Sequence, residues 1–131
     1  RVELDELLKE CDIISIHAPL NENTQSLFNY KNISKMKKDA VLINMGRGPI
    51  VVDDDLAKAI DEELIAGAAL DVFMVEPMPA DNPFLKVKNK DRLVLTPHIA
   101  WASIEARERL FKDLIENIHA FYRGEARNRI V

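Results

Sequence analysis

The stretch AVLINMGRGPIVVD at residues 40–53 decides the fold. Its first five residues form an apolar run of the length of a buried strand, and this run ends at Asn44. Two glycines then flank Arg47 in a turn. Asp53 follows as the predicted N-cap of a helix, whose apolar face is marked at helical spacing by Leu56, Ile60 and Leu64. The stretch therefore predicts a strand, a tight turn and a helix in succession.

The same alternation extends in both directions along the chain. Further apolar runs predict strands at residues 12–16, 66–70 and 93–96. Amphipathic patterns predict helices at residues 2–10 and 33–38, and a long helix from near Ser103 that ends before Gly124. Near-continuous apolar strands that alternate with helices are typical of a parallel sheet covered on both faces. We therefore expect an α/β fold of about four parallel strands with flanking helices and a long C-terminal helix.

The composition excludes several classes of protein. The 131 residues are 47% hydrophobic and carry a net charge of −4, with dispersed basic residues, so we expect one domain and no nucleic-acid partner. No apolar run approaches the roughly 18 residues of a membrane span, so we expect no membrane partner. Cys11 is the only cysteine, which excludes an intrachain disulfide and a cysteine metal site and favours a reducing, cytoplasmic location. We expect no metal.

The chain begins at Arg1, without an initiator Met and already inside an amphipathic helix pattern. We therefore expect it to be part of a longer protein.

Each predicted strand is followed by a polar or ionisable residue. In order, these residues are His17, Arg47, Asp71 and His98. Ligands of an open parallel sheet bind outside the carboxyl ends of its strands. The segment at residues 72–92 is long for a connection in a compact α/β unit, and loops of that length are often functional. We therefore expect a functional site at this edge, with a contribution from that segment.

Two of these residues, together with a carboxylate from the long segment, suit the reduction of a 2-keto acid. Arg47, between two glycines, can bring its planar guanidinium close to a bound carboxylate. His98 can exchange a proton near neutral pH. A carboxylate such as Glu76 would favour the imidazolium form of His98 and hold its tautomer.

Each residue alone also has a structural interpretation. His98 could be a satisfied structural histidine, Arg47 could mark a tight connection, and Glu76 could be a solvated loop residue. Their joint position at one edge of a sheet favours function over these alternatives.

Four segments, in order, resemble motifs of the D-isomer-specific 2-hydroxyacid dehydrogenases. They are HAPLNENT at residues 17–24, NMGRGPIVVD at 44–53, GAALDVFMVEP at 67–77 and LTPHIA at 95–100. The resemblance implies the second half of a Rossmann-type doubly wound parallel sheet. It implies that residues 1–124 are the C-terminal part of the NAD-binding domain, and that residues 125–131 are a tail leading back towards the absent substrate domain.

The resemblance also implies three catalytic roles. Arg47 would hold the substrate carboxylate and polarise the 2-keto oxygen. His98 would donate a proton to that oxygen in reduction and accept it in oxidation. Glu76 would hydrogen-bond His98 and keep it protonated.

The implied cofactor is NAD. Asp71 would hold the nicotinamide carboxamide, the loop that contains His17 and Pro19 would pass the adenosine side, and the loop of Met45 and Gly46 would line the nicotinamide end. The family's G-x-G-x-x-G turn does not occur among the four glycines of these residues. The residue that separates NAD from NADP is absent as well, so NADP remains open. We expect the isolated chain to be inactive.

The substrate is less closely defined. Trp101, just after His98, resembles glycerate dehydrogenases (hydroxypyruvate reductases), which favours hydroxypyruvate and D-glycerate, with pyruvate and D-lactate next. Trp101 could equally be a core or interface aromatic. The resemblance implies a homodimer for the full-length protein. A non-catalytic NAD-sensing corepressor or regulatory protein on the same fold remains an alternative, whereas a flavodoxin-like binding domain would leave Arg47, Glu76 and His98 unexplained.

Overall fold

The computed structural model describes residues 1–130. The chain divides into two compact units, Arg1–His98 and the part from Ile99 to the C-terminus. No helix in the described part of the chain is both long enough and apolar enough to cross a membrane.

The first unit is built on a four-stranded parallel sheet, which confirms the predicted fold class. Its strands are β1 (Ile13–Ile16), β2 (Val41–Asn44), β3 (Gly67–Leu70) and β4 (Leu93–Leu95), and their order in the sheet is their order in the chain. Because all the pairs are parallel and Ile16 lies beside Asn44, the carboxyl ends of the strands form one edge. The residues that follow the strands are brought to that edge.

Three helices pack on one face of this sheet. They are α1 (Leu4–Glu10), α2 (Tyr30–Ile33) and α3 (Asp53–Asp61). Their apolar residues form one core with alternate strand residues, and the fully buried members include Leu8, Ile33, Leu42, Leu56 and Ile60. Within residues 1–98 the opposite face carries no helix, and Ile13 and Val94 on it are 63% and 61% exposed. We expected helices on both faces of the sheet, and within this unit the structure has them on one face.

The helix expected at residues 33–38 lies earlier in the chain. Helix α2 begins after Asn29, whose side chain accepts a hydrogen bond from the Asn32 N–H and acts as the N-cap. The Asp55 carboxylate also accepts the Tyr30 N–H at 2.8 Å. This second partner comes from α3, so local sequence periodicity did not reveal it.

The prediction that Asp53 is the N-cap of α3 is wrong. The N-cap is Val52, and Asp53 is the first residue of the helix. The Asp53 side chain does not cap its own helix, because its carboxylate accepts hydrogen bonds from the segment that joins β3 to β4. That segment contains two short 3₁₀ helices, Pro83–Lys86 and Lys90–Arg92.

The second unit consists of the long helix α4 (Ile104–Tyr122) and the residues that flank it. Ser103 caps its N-terminus by accepting the Ala106 N–H at 3.1 Å. Gly124 ends the helix with a φ of +70°, as predicted from the sequence. The Arg127 guanidinium donates to Asp113 at 2.8 Å, so the tail folds back on this helix. Its direction towards a substrate domain stays a prediction.

Candidate active site

The predicted site residues of the first unit lie at the carboxyl edge of the sheet. His17 follows β1 directly, Asp71 follows β3 directly, and Arg47 and His98 each come three residues after the end of a strand. The connection from β3 to β4 supplies Glu76. The parallel fold thus gathers at one edge residues that are far apart in the sequence.

Glu76 and His98 are in direct contact. The Nδ1–H of His98 donates to Oε2 of Glu76 at 2.7 Å. The other oxygen of Glu76, Oε1, accepts the N–H of Phe73 at 2.9 Å. Because Nδ1 is engaged by the carboxylate, proton exchange between the ring and a ligand would use Nε2.

The surroundings of Glu76 favour its carboxylate form. Partial burial raises the pKa of Glu76, but the hydrogen bonds from the Phe73 N–H and from His98 outweigh this effect and leave the pKa below its ordinary value. The side chains of His98 and Glu76 are 44% and 34% exposed, so water screens part of the attraction between them. An ionised Glu76 is a hydrogen-bond acceptor only, so it fixes the hydrogen of His98 on Nδ1 and holds the orientation of the ring.

The backbone at His98 adopts an unusual conformation. Its φ is +56°, in the left-handed region that few residues other than glycine enter. The His98 N–H donates to the carbonyl of Asp71 at 2.8 Å, which ties the turn after β4 to the end of β3. Backbone conformations of this kind persist where the surrounding structure holds them, often at functional sites.

Asp71 is buried at the end of β3. It is 5% exposed, and its Oδ1 accepts the Thr96 hydroxyl at 2.6 Å. The carboxylate therefore has a fixed orientation beside the turn that carries His98. A buried, oriented acceptor of this kind suits an amide donor of a ligand.

The loop that carries Arg47 is held by a buried asparagine. Asn44 is 0% exposed, its Oδ1 accepts the Gly46 N–H, and its Nδ2 donates to the Arg47 carbonyl, both at 3.0 Å. The Arg47 side chain is exposed, and its Nη1 donates to the Gly46 carbonyl at 2.9 Å. The loop backbone is fixed while the guanidinium faces solvent, where it can meet an anionic ligand.

All the predicted site residues except Asp71 line one of two cavities. One, of about 500 Å³, is bounded by residues 17–20 and by Met45, Gly46 and Arg47. Beside it, His17 Nε2 lies 2.8 Å from the Ser15 hydroxyl. The other, of about 630 Å³, has Glu76 and His98 in its wall, together with apolar side chains such as Phe73 and Leu95. Asp71 lines neither cavity.

Sequence reasoning missed several residues that shape this site. Asn44 was taken only as the end of a strand, and Asn82, which is 4% exposed, was not singled out. A polar residue that closes an otherwise apolar run was the available signal for Asn44, because a buried amide must find partners. In the described chain, no group of three or more His, Cys, Asp or Glu residues could hold a metal ion.

Comparison with known proteins agrees with this geometry. Residues 1–100 match the family described as "D-isomer specific 2-hydroxyacid dehydrogenase, NAD binding domain". The chain is 42% identical over 127 residues to a hydroxypyruvate reductase of Blautia hydrogenotrophica, covering 97% of this chain and 38% of that protein. It is 50% identical over 123 residues to a glyoxylate reductase of Thermofilum pendens, covering 94% of this chain and 35% of that protein.

Solved structures show the same likeness. An acyclic imino acid reductase in complex with NADPH and D-Arg has a TM-score of 0.88 and 39% identity, covering 99% of this chain and 40% of that one. A D-lactate dehydrogenase of Aquifex aeolicus, complexed with NAD and lactic acid, has a TM-score of 0.81 and 34% identity, covering 95% and 41%. The chain thus spans somewhat more than a third of the length of such relatives. It belongs to the NAD-binding domain family of the D-isomer-specific 2-hydroxyacid dehydrogenases.

Proposed function

We propose that the protein containing this chain reduces a small 2-keto acid to a D-2-hydroxy acid, with Arg47, Glu76 and His98 as its catalytic residues. The observation that carries the proposal is the 2.7 Å hydrogen bond between Glu76 and His98, at the sheet edge where Arg47 also lies. A histidine oriented by a carboxylate and an arginine for an anion are the groups that this reaction needs.

In this proposal each residue has a separate task. Arg47 binds the substrate carboxylate through two of its three guanidinium nitrogens, which orients the neighbouring carbonyl. His98 donates its Nε2 proton to the carbonyl oxygen, and so prevents a full negative charge from building up there. Glu76 stabilises the imidazolium before that transfer. The reduced nicotinamide supplies the hydride that reaches the carbonyl carbon.

The residues present suit part of a bound dinucleotide. The cavity of about 500 Å³ is bounded by residues 17–20 on one side and by Met45 and Gly46 on the other. We propose that His17, Pro19, Met45 and Gly46 contact the dinucleotide and that Asp71 accepts its carboxamide N–H. Asp71 supports this role because it is an oriented acceptor at the end of a strand.

Hydroxypyruvate and glyoxylate are the substrates that we favour, because the names of several relatives specify these acids. Pyruvate is the next candidate, since one structural neighbour is a D-lactate dehydrogenase. We also propose that the complete protein is a homodimer, following the family resemblance.

The test is a kinetic comparison of the complete protein with its Arg47→Lys variant. Lysine keeps the charge but cannot form the bidentate pair, so we expect kcat/KM for the keto acid to fall at least tenfold, or about 1.4 kcal/mol. Arg109→Lys, at an exposed position on α4, is the matched control. The measurement is NADH oxidation with glyoxylate, hydroxypyruvate and pyruvate, followed by chiral analysis of the glycerate and lactate formed from the last two.

Two results would contradict the proposal. An Arg47→Lys variant within about threefold of the parent would remove the carboxylate-binding role. A complete protein that binds NADH but turns over none of these acids would favour the corepressor alternative.

A further inference from the structure

The peptide that joins Phe73 to Met74 is held from two sides. A Cβ atom added to Gly48 would lie 1.7 Å from the Phe73 carbonyl oxygen, so the Gly48 backbone touches this peptide directly. The Met74 N–H of the same peptide lies near enough to the Asp53 carboxylate, at the start of α3, to lower the pKa of that carboxyl. One peptide is therefore packed between the loop of Arg47 and the first residue of a helix.

Asp53 reaches the same segment at a second point. Its Oδ2 accepts from Nδ2 of Asn82 at 3.0 Å, and Oδ1 of Asn82 in turn accepts the Phe84 N–H at 2.9 Å. Asp53 and Asn82 are only 6% and 4% exposed. Among the described side chains, no buried nitrogen or oxygen lacks a hydrogen-bond partner, and this cluster contributes to that result.

A carboxylate at this place is costly for the fold. Burial raises the pKa of Asp53 above its ordinary value, and the hydrogen bonds from Asn82 and Met74 offset only part of that rise. A buried acid that serves packing alone could be replaced by an apolar residue of similar size. The geometry supplies another reason to keep it, because its two donors stand on either side of Glu76 in the chain.

The preceding peptide, which joins Val72 to Phe73, shares the Cα of Phe73 and connects to the proton-transfer pair. Its Phe73 N–H holds Oε1 of Glu76 at 2.9 Å, and Oε2 of Glu76 holds His98 at 2.7 Å. A displacement of the Phe73–Met74 peptide is passed on at the Phe73 Cα and so reaches the carboxylate that orients His98. Through Gly48, the same displacement reaches the loop that carries Arg47.

We propose that Asp53, together with Asn82, is a positioning residue of the active site. Asp53 fixes the peptide between Phe73 and Met74, and through it sets Glu76 and His98 relative to Arg47. The expected effect on kcat rests on the proposed function, whereas the expected effect on the positions of Glu76 and His98 does not.

A reciprocal exchange of the two side chains tests the proposal in the complete protein. Asp53→Asn alone sets an amide N–H against another N–H donor, and Asn82→Asp alone sets two carboxylates against each other. In the double variant the amide at position 53 can accept the Met74 N–H and donate to the new carboxylate. That carboxylate can still accept the Phe84 N–H, so all the hydrogen bonds return and the net charge is unchanged.

We expect each single variant to lose about tenfold to a hundredfold in kcat, because small displacements of catalytic groups have effects of this size. KM for NADH should change little. The double variant should recover to within about threefold of the parent. Asp54→Asn, an exposed residue in the same helical turn with the same loss of charge, should leave kcat unchanged. All rates are measured well below the unfolding temperature of each variant.

Hydrogen exchange supplies a readout that needs no turnover. Amides of residues 72–77 should exchange faster in both single variants and return to the parent rate in the double variant. The His98 ring signal, assigned by its loss in His98→Gln, should shift in the single variants and return with the exchange rates.

Some outcomes overturn the proposal. Single variants with faster exchange and an unchanged kcat would show that the cluster serves stability alone. So would a double variant that regains protection but not kcat. If the parent protein reduces no keto acid, the proposed function fails, while hydrogen exchange and the His98 signal still decide whether Asp53 positions Glu76. An unchanged His98 signal in both single variants would then reject that role.

Discussion

The two oxygens of Glu76 serve different partners, one on the backbone and one on His98. Since these bonds keep the pKa of Glu76 below its ordinary value of 4.5, folding favours the ionised form. Such a group stabilises the fold fully above its unfolded pKa, and this stabilisation is lost as the pH falls through the folded pKa.

We therefore expect the parent to be more stable than the Glu76→Gln variant, and the difference in their free energies of unfolding to become smaller as the pH falls below about 4.5. Above that pH the difference should be no larger than about 1 kcal/mol, because the pair is partly exposed. The measurement is the free energy of unfolding of both proteins in urea, from about pH 3 to about pH 7. This range begins roughly one unit below the ordinary pKa of a glutamate. Glu22→Gln, at an exposed loop position, is the control. A difference independent of pH would contradict the assignment.

The same variant has a kinetic consequence under the proposed function. In that proposal His98 donates the proton, and glutamine removes the charged acceptor that holds the ring through Nδ1 at 2.7 Å. A hydrogen bond to a neutral amide is weaker than one to a carboxylate, so we expect kcat for keto-acid reduction by the complete protein to fall. An unchanged kcat in NADH-oxidation assays would assign the orientation of His98 to another group.

Residue types and spacing predicted which residues lie at the sheet edge, and the structure brings Glu76 and His98 into contact there. Their functional roles stay proposals. The positive φ of His98 and the buried partners of Asp53 were not predictable, because both depend on segments distant in the sequence. Local patterns report propensity and periodicity, whereas such contacts are set by tertiary packing.

Among the elements, β3 and β4 show how closely a parallel pair can approach. A Cβ atom added to Gly67 would lie 2.6 Å from the carbonyl oxygen of Arg92, just before β4. The carbonyl oxygen belongs to the backbone and the added Cβ atom is bonded directly to the Cα, so no side-chain rotation can relieve the contact.

We expect Gly67→Ala to destabilise the fold by about 1–2 kcal/mol. Overpacking costs about 1–3 kcal/mol, and the lower entropy of the unfolded alanine chain offsets about 0.4–1 kcal/mol of that cost. The free energy of unfolding from urea titration checks the value. A more stable variant would mean that the two strands can separate at no cost.

The strands were predicted to within a residue at each end, because short apolar runs bounded by polar residues are a strong local signal. Helix α2 was misplaced because its four residues make too short a pattern and its start depends on Asn29 and Asp55. The C-terminus of α4 was predicted from Gly124, whose positive φ is a local property of the chain.

At the scale of the whole molecule, we expect the complete protein to bind the dinucleotide and the isolated 131 residues not to bind it. They contain four glycines and no G-x-G-x-x-G turn, so they lack the backbone N–H groups that hold a pyrophosphate. We expect the isolated 131 residues to bind NADH weakly or not at all. Calorimetric titration, with circular dichroism to verify folding and the complete protein as a control, checks this. A micromolar dissociation constant would contradict it.

The order of the strands in the sheet, β1-β2-β3-β4, has a consequence for biosynthesis. A new strand begins 26 to 28 residues after the previous one, so the ribosome delivers one on the order of every few seconds. Helices and local contacts form in microseconds. Each strand is therefore complete before the neighbour that will pair with it has been translated. This sheet can grow one strand at a time from the N-terminal side, with each pairing surface ready when the next strand emerges.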